Sequence, residues 1–121
     1  MDGDGSFYPP TVLTDVPAGC PVDTEKVFGP VAAVYEIDDE DAAIRKANDT
    51  AFGLGASIWT EDRVRGERLA RRVGAGCVYV NQLVKSDPRA PFGGIKQSGY
   101  GRELSGPGIR EFVDRKTVWV E

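Results

Sequence analysis

The sequence predicts an α/β fold: a three-layer fragment around a mainly parallel sheet built from βαβαβ units, with a C-terminal helix and an edge strand. Three observations predict it. Apolar runs of strand length, "PVAAVYEI", "LGASIWT" and "GCVYVN", alternate with two helical patterns. Each connection between successive runs is too long for a hairpin and long enough for a crossover helix, as in right-handed parallel βαβ units. The first run is also nearly continuously apolar rather than alternating, as expected of a strand covered on both faces.

Along the chain, the first thirty residues read as an irregular lead-in punctuated by Pro9, Pro10, Pro17, Pro21 and Pro30, with "TVLTDV" as its one convincing short strand. The run Pro30 to Ile37 is the first core strand. Asp38 follows as its helix N-cap, and Asp39, Glu40 and Asp41 fall in the first turn, where the helix dipole favours negative charge. That placement accounts for "DDED" better than a metal-binding acid cluster does. Ala43, Ile44 and Ala47 share one helix face, and "NDTAFG" ends the helix. After the strand "LGASIWT", the segment "EDRVRGERLARRV" forms a second helix with Gly66, Leu69, Ala70 and Val73 at helical spacing. A third strand, "GCVYVN", ends at Asn81. Beyond a glycine-rich loop, Ser105 and Pro107 open a short helix with Ile109, Phe112 and Val113 on one face. The chain closes on "KTVWVE", with Val118 and Val120 on one side and Trp119 on the other. A terminal strand of this kind offers unpaired N–H and C=O groups, so a partner is expected there.

Composition narrows the function classes. The 121 residues make one domain at most, and 40% hydrophobic with 28% charged residues is ordinary for a globular protein. No apolar run has the length of a membrane-spanning helix. The start "MDGDGSFYPP" is acidic and has no apolar segment of the signal-peptide kind, so a cytoplasmic location is expected. A formal charge of −4 argues against nucleic acid as a partner, and the cluster Arg63, Arg65, Arg68, Arg71 and Arg72 is interleaved with Glu61, Asp62 and Glu67, as on a solvated helix face. With no histidine and only Cys20 and Cys77, neither a zinc nor a haem site is expected. Spacing leaves a Cys20–Cys77 disulfide open, a reducing compartment favours free thiols, and the lack of C-x-x-C argues against a redox couple.

Open α/β sheets bind ligands beyond the carboxyl ends of their strands, which directs attention to Asn81 and the loop from Gln82 to Gly94. The glycines identify no nucleotide by spacing: "GAGCVY", "GLGASI" and "GYGREL" lack a third glycine, and "GGIKQSG" is no phosphate loop. In "PFGGIKQSGYGRELSG" they are interleaved with Phe92, Ile95, Lys96, Tyr100, Arg102 and Glu103, the pattern of a loop packed by its own side chains. Lys96, Arg102 and Glu103 read as structural pairs that pin it.

Five segments, "FYPPTVLTDV", "EKVFGPV", "ANDTAFGL", "RRVGAGCVYVN" and "PFGGIKQSGYGRELS", in this order and at these separations, resemble the C-terminal part of the aldehyde dehydrogenase superfamily. The resemblance covers essentially the whole chain. "KSDPRAPFGG", "GRELS" and the final "KTVW" are most similar to the succinate-semialdehyde dehydrogenase branch. It implies a parent enzyme that oxidises an aldehyde to the acid with NAD or NADP, through a cysteine thiohemiacetal and a glutamate-activated water. It places the cysteine, the glutamate and the dinucleotide-binding fold upstream of the matched region. Neither Cys20 nor Cys77 matches the nucleophile motif, so no catalytic residue is assigned, and the fragment alone is expected to be inactive.

Position by position, the resemblance assigns Phe28 to the aromatic beside the nicotinamide, where the plainer reading is a buried aromatic before a strand. Two residues earlier the family carries a glutamate for the ribose hydroxyls. This chain has Lys26, which cannot accept those hydrogen bonds, and the available carboxylate is Glu25. Ser86 matches the serine that meets a substrate's distal carboxylate, and Phe92 an aromatic of the substrate tunnel. Lys85 and Arg89 flank Ser86, and as loop charges their plainer reading is solvation. The resemblance also makes residues 116–121 an oligomerisation strand joining a neighbouring subunit, hence a homo-oligomer. The alternative is a non-catalytic interaction or oligomerisation module derived from the same fold.

Overall fold

The computed structural model describes residues 5–121, so part of the acidic start discussed above lies outside the described residues. The chain divides into two compact units, Met1–Ala43 and Ile44–Glu121.

In the first unit, β1 (Thr11–Leu13) and β2 (Val31–Ala33) form a parallel pair with Thr11 opposite Val31 and Leu13 opposite Ala33. Between them lies the single turn α1 (Pro21–Thr24), whose proline sits where a helix needs no N–H donor. Asp23 ties the crossover together, accepting from Gly19 N at 2.9 Å and from Tyr35 Oη at 2.9 Å. The strand read over Pro30 to Ile37 is longer than the ladder observed. Its partner ends first, because Asp15 adopts φ +52° and turns the chain after β1.

Helix α2 (Glu40–Asn48) is capped by Asp39, whose Oδ1 accepts from Ala42 N at 2.6 Å. The cap is thus one residue later than Asp38. On the predicted helix face Ile44 is half-buried, whereas Ala43 and Ala47 are exposed.

In the second unit, β3 (Phe52–Gly53) pairs antiparallel with β6 (Ile95–Lys96), and β4 (Gly55–Ile58) pairs parallel with β5 (Cys77–Val80). Helix α3 (Arg63–Ala70) makes the crossover between β4 and β5, capped by Asp62, which accepts from Arg65 N at 3.0 Å. It approaches the sheet at Gly66, where a Cβ would fall 2.6 Å from Val80 Cγ1. Only the absence of a side chain permits that approach. Leu69 is buried on α3, and Cys77 is buried on the other face of β5, with its thiol toward Gly93 O. Helix α4 (Ser105–Arg110) follows the glycine-rich loop, after Leu104 at φ 64°.

The α/β class is therefore observed, with parallel pairs joined by helical crossovers, but its strands are distributed differently from the expected single βαβαβ sheet. β2 pairs with β1, and β4 with β5. Residues 116–121 form no ladder among the described residues. A strand exists only against a partner's N–H and C=O groups, and no described segment supplies them.

The same shortage appears in the apolar side chains left open: Phe112 is 91% exposed and Trp119 86%, while Val34 and Ile37 beyond β2 are also open. Cover on both faces of β2 is not supplied by the described residues. Among these residues no helix is long and apolar enough to cross a membrane.

Candidate functional site

The carboxyl ends of β4 and β5 are locked by Asn81. Its Oδ1 accepts from Thr60 N at 2.8 Å, its Nδ2 donates to Thr60 O at 2.8 Å, and its own N–H meets Ile58 O at 2.7 Å. With φ +55° it turns the chain out of the sheet, a conformation asparagine tolerates. Asn81 thus shapes the rim, and the loop that resemblance assigns to the substrate begins directly after it.

In that loop Ser86 is exposed. Tyr79 Oη donates to the Lys85 carbonyl at 2.6 Å, and Ala90 N donates to Asp87 O at 3.0 Å, closing a turn with Asp87 first and Pro88 second. Asp87 and Arg89 form a two-pronged pair, Nε to Oδ1 at 2.9 Å and Nη2 to Oδ2 at 2.6 Å. These hydrogen bonds from Arg89 hold the Asp87 carboxyl well below the usual carboxylate range, and Asp87 in turn raises the Arg89 guanidinium. Arg89 is therefore engaged by its neighbour rather than merely solvated.

Phe92 is half-buried and bridges to Glu103, with Phe92 N to Glu103 O at 2.8 Å and Glu103 N to Phe92 O at 2.7 Å. It lines a cleft of about 300 Å³ with Leu54, Gly93, Arg102 and Phe112; Ser86 is not among the lining residues. The glycine-rich loop is held by charges on main-chain carbonyls. Lys96 Nζ donates to Asn48 O and Thr50 O, each at 3.0 Å, and Arg102 Nη1 donates to Gly94 O at 2.9 Å and Gly101 O at 2.7 Å. Lys96 thus ties the loop to main-chain carbonyls at the end of α2, Arg102 pins it through its own backbone, and Glu103 contributes through the Phe92 bridge. Gly76 is required because a Cβ there would collide with the Gly93 carbonyl.

The residues assigned to the cofactor lie in the first unit. Glu25 ends α1, its N–H on Pro21 O at 2.8 Å, and its side chain is exposed. Lys26 Nζ stands 5.0 Å from the centroid of the Phe28 ring. Phe28 is 86% exposed, which corrects the plainer reading of a buried aromatic. The same unit holds a cleft of about 430 Å³ past the ends of β1 and β2, lined by residues that include Asp15, Tyr35 and Glu36.

Both cysteines are free. Cys77 is buried with its thiol toward Gly93 O at 3.7 Å, and Cys20 is half-buried before α1. Sequence reasoning missed Tyr79 and Asp87 as supports of Ser86. The Asp-Pro pairing was a visible turn signal; the hydroxyl of Tyr79, inside an apolar strand, gave none.

Comparison with known proteins agrees with this architecture. The aldehyde dehydrogenase family profile matches residues 1–118, and the chain belongs to that family. It is 54% identical over 120 residues to succinate-semialdehyde dehydrogenase (NADP+) 1 of Mycobacterium ulcerans, covering 99% of this chain and 26% of the relative. The succinate-semialdehyde dehydrogenase (NADP+) of Mycobacterium avium is 51% identical, with 99% and 25% covered. Among solved structures, a succinic semialdehyde dehydrogenase from Streptococcus pyogenes in complex with NADP+ superposes with a TM-score of 0.92 at 36% identity, over 99% of this chain and 26% of that one. A Mycobacterium tuberculosis aldehyde dehydrogenase complexed with NAD+ gives 0.88 at 38%, over 95% and 24%. The chain spans about a quarter of the length of these relatives.

Proposed function

We propose that this chain supplies the C-terminal portion of an NAD(P)-dependent aldehyde dehydrogenase that oxidises an aldehyde bearing a distal carboxylate, with succinate semialdehyde as the substrate, to the carboxylic acid. The observation that carries the reading is Ser86, an exposed hydroxyl on a short loop at the carboxyl rim of the β4–β5 pair, between two neighbours that are themselves hydrogen-bonded. A hydroxyl donor held in place suits a carboxylate, and Lys85 adds positive charge beside it. Phe92 contributes an apolar wall for the carbon chain.

The first unit fits a dinucleotide in two respects. Phe28 presents an accessible ring for packing beside a nicotinamide, and Glu25 an exposed carboxylate for ribose hydroxyls. Lys26 donates where the family accepts, so its donor chemistry and its place over Phe28 work against a close ribose contact. NAD(P)+ would supply the hydride acceptor. Nucleophile and base come from outside these residues in this reading, since the Cys77 thiol is buried against a carbonyl and Cys20 lacks the family motif. The chain alone carries no turnover. Residues 116–121 pair with a neighbouring subunit, making the parent a homo-oligomer; support comes from the exposed apolar side chains of Val118, Trp119 and Val120.

The test is a chimera in which this chain replaces the matching quarter of the Mycobacterium ulcerans relative. Formation of NADPH from succinate semialdehyde, with none from the chain alone, is expected. A folded chimera that binds NADP+ yet turns over no aldehyde would overturn the reading in favour of a non-catalytic module.

A further inference from the structure

The loop carrying Ser86 is anchored on both sides of that residue. On the N-terminal side, a Cβ added to Gly55 of β4 would fall 2.7 Å from Val84 Cγ1, so the branched Val84 side chain occupies the space above the strand. One residue later, Tyr79 Oη of β5 donates to the Lys85 carbonyl at 2.6 Å. On the C-terminal side, Asp87 accepts from Arg89 through N and Nε, both at 2.9 Å, and through Nη2 at 2.6 Å. The Asp87 carbonyl accepts from Ala90 N at 3.0 Å. The Asp87 side chain is only 26% exposed, so the carboxylate end of the pair sits within the loop while Arg89 stays open.

Two consequences follow. An exposed loop residue ordinarily samples many backbone conformations, and a hydroxyl that must meet a carboxylate loses affinity to that freedom. Here the residues before and after Ser86 are both held, so little freedom remains to be lost when a ligand arrives. Arg89 is also a poor free cation, because its guanidinium already lies in a two-pronged pair with Asp87. With Arg89 engaged, directional recognition of a carboxylate by this loop depends on where the Ser86 hydroxyl is held, with Lys85 adding charge beside it.

Resting on the reading that Ser86 meets the substrate carboxylate, we infer that Tyr79 and the Asp87–Arg89 pair are positioning residues for Ser86, and that they set the preference for carboxylate-bearing aldehydes over uncharged ones of equal length. They act through Ser86 without touching substrate.

The experiment measures steady-state kinetics of the chimera described above with succinate semialdehyde and with butanal. Y79F, which removes a single hydroxyl, and D87A should each raise KM for succinate semialdehyde about tenfold with kcat changed less than about twofold, leaving kcat/KM for butanal within about twofold. D87E should recover part of the loss. Because the effect passes through Ser86, adding D87A to S86A should cost little beyond S86A alone. Equal losses on both aldehydes, or full additivity with S86A, would overturn the positioning role and leave a purely structural one. If S86A itself leaves the semialdehyde KM unchanged, the assignment of Ser86 falls and the inference falls with it. Y79F keeps the test decisive should D87A fail to fold.

Discussion

Lys26 Nζ lies 5.0 Å from the centroid of the Phe28 ring, so the basic residue and the exposed aromatic of the first unit form a cation–π pair. At an exposed site such a pair contributes roughly 0.5–1 kcal/mol. That is enough to bias where the lysine rests without burying the ring. In the functional reading the lysine stands where an acceptor for ribose hydroxyls is expected, so its donor chemistry and its place over the ring work against a close ribose contact.

K26E in the chimera should therefore lower the KM for NADP+, by about three- to tenfold, since a restored acceptor adds one charge-assisted hydrogen bond. Turnover at saturating cofactor should stay within about twofold. An unchanged or raised cofactor KM would show that Glu25, or no carboxylate of this segment, holds the ribose.

The Asp87–Arg89 pair sets a pH window. A carboxylate whose folded-state pKa is depressed contributes stability that is present above its unfolded value of about 3.9 and is lost as pH falls through the depressed value. Arg89 depresses Asp87, so the turn should stay closed from neutral pH through the ordinary carboxylate range and open only in stronger acid. The carboxyl carbon shift of Asp87 in isotopically labelled chimera, followed through an acid titration, measures this directly. A midpoint at or above about 3.9 would contradict the pair. Arg89 is 89% exposed, so high salt should move the midpoint back toward that of a free aspartate.

Gly76 faces the Gly93 carbonyl at a distance that leaves no room for a Cβ. G76A must push apart two main-chain segments, the entry to β5 and the start of the glycine-rich loop, rather than a flexible side chain. A loss of at least about 3 kcal/mol is expected. Urea unfolding of the chimera reads it, and a loss under about 1 kcal/mol would mean that the two segments separate easily.

Much of this was legible in the residues because it is local. The spacing of Gly66 and Leu69 gave the buried face of α3, and the two apolar runs it joins gave the parallel pair β4–β5. What was not legible depends on partners distant in sequence. The run from Pro30 to Ile37 has strand character throughout, yet its ladder is only as long as β1 allows, and β1 stops where Asp15 turns. The site shows the same division. Ser86 and Phe92 were assigned by resemblance, and both lie on the loop beyond the β4–β5 rim. The support of Ser86 by Tyr79 depends on a hydroxyl within an apolar strand reaching a carbonyl six residues later, which no periodicity reveals. The plainer alternative for Phe28, a buried aromatic before a strand, does not hold, since its ring is 86% exposed. It is exposed because the described residues place no cover over it.

The C-terminal segment gives the last prediction. Val118, Trp119 and Val120 are 72%, 86% and 85% exposed, and residues 116–121 pair with nothing among the described residues. An apolar segment with alternating faces and unsatisfied main-chain groups is a template for a strand of another molecule. In the proposed homo-oligomer that strand belongs to a neighbouring subunit, and main-chain hydrogen bonds together with the Trp119 ring hold it. Removing residues 117–121 from the chimera should shift light-scattering mass toward smaller assemblies, and W119A should do so in part, with the folded content of the subunit unchanged by circular dichroism. An assembly of unaltered mass after the truncation would remove the tail from the interface and leave its exposed side chains to another part of the same polypeptide.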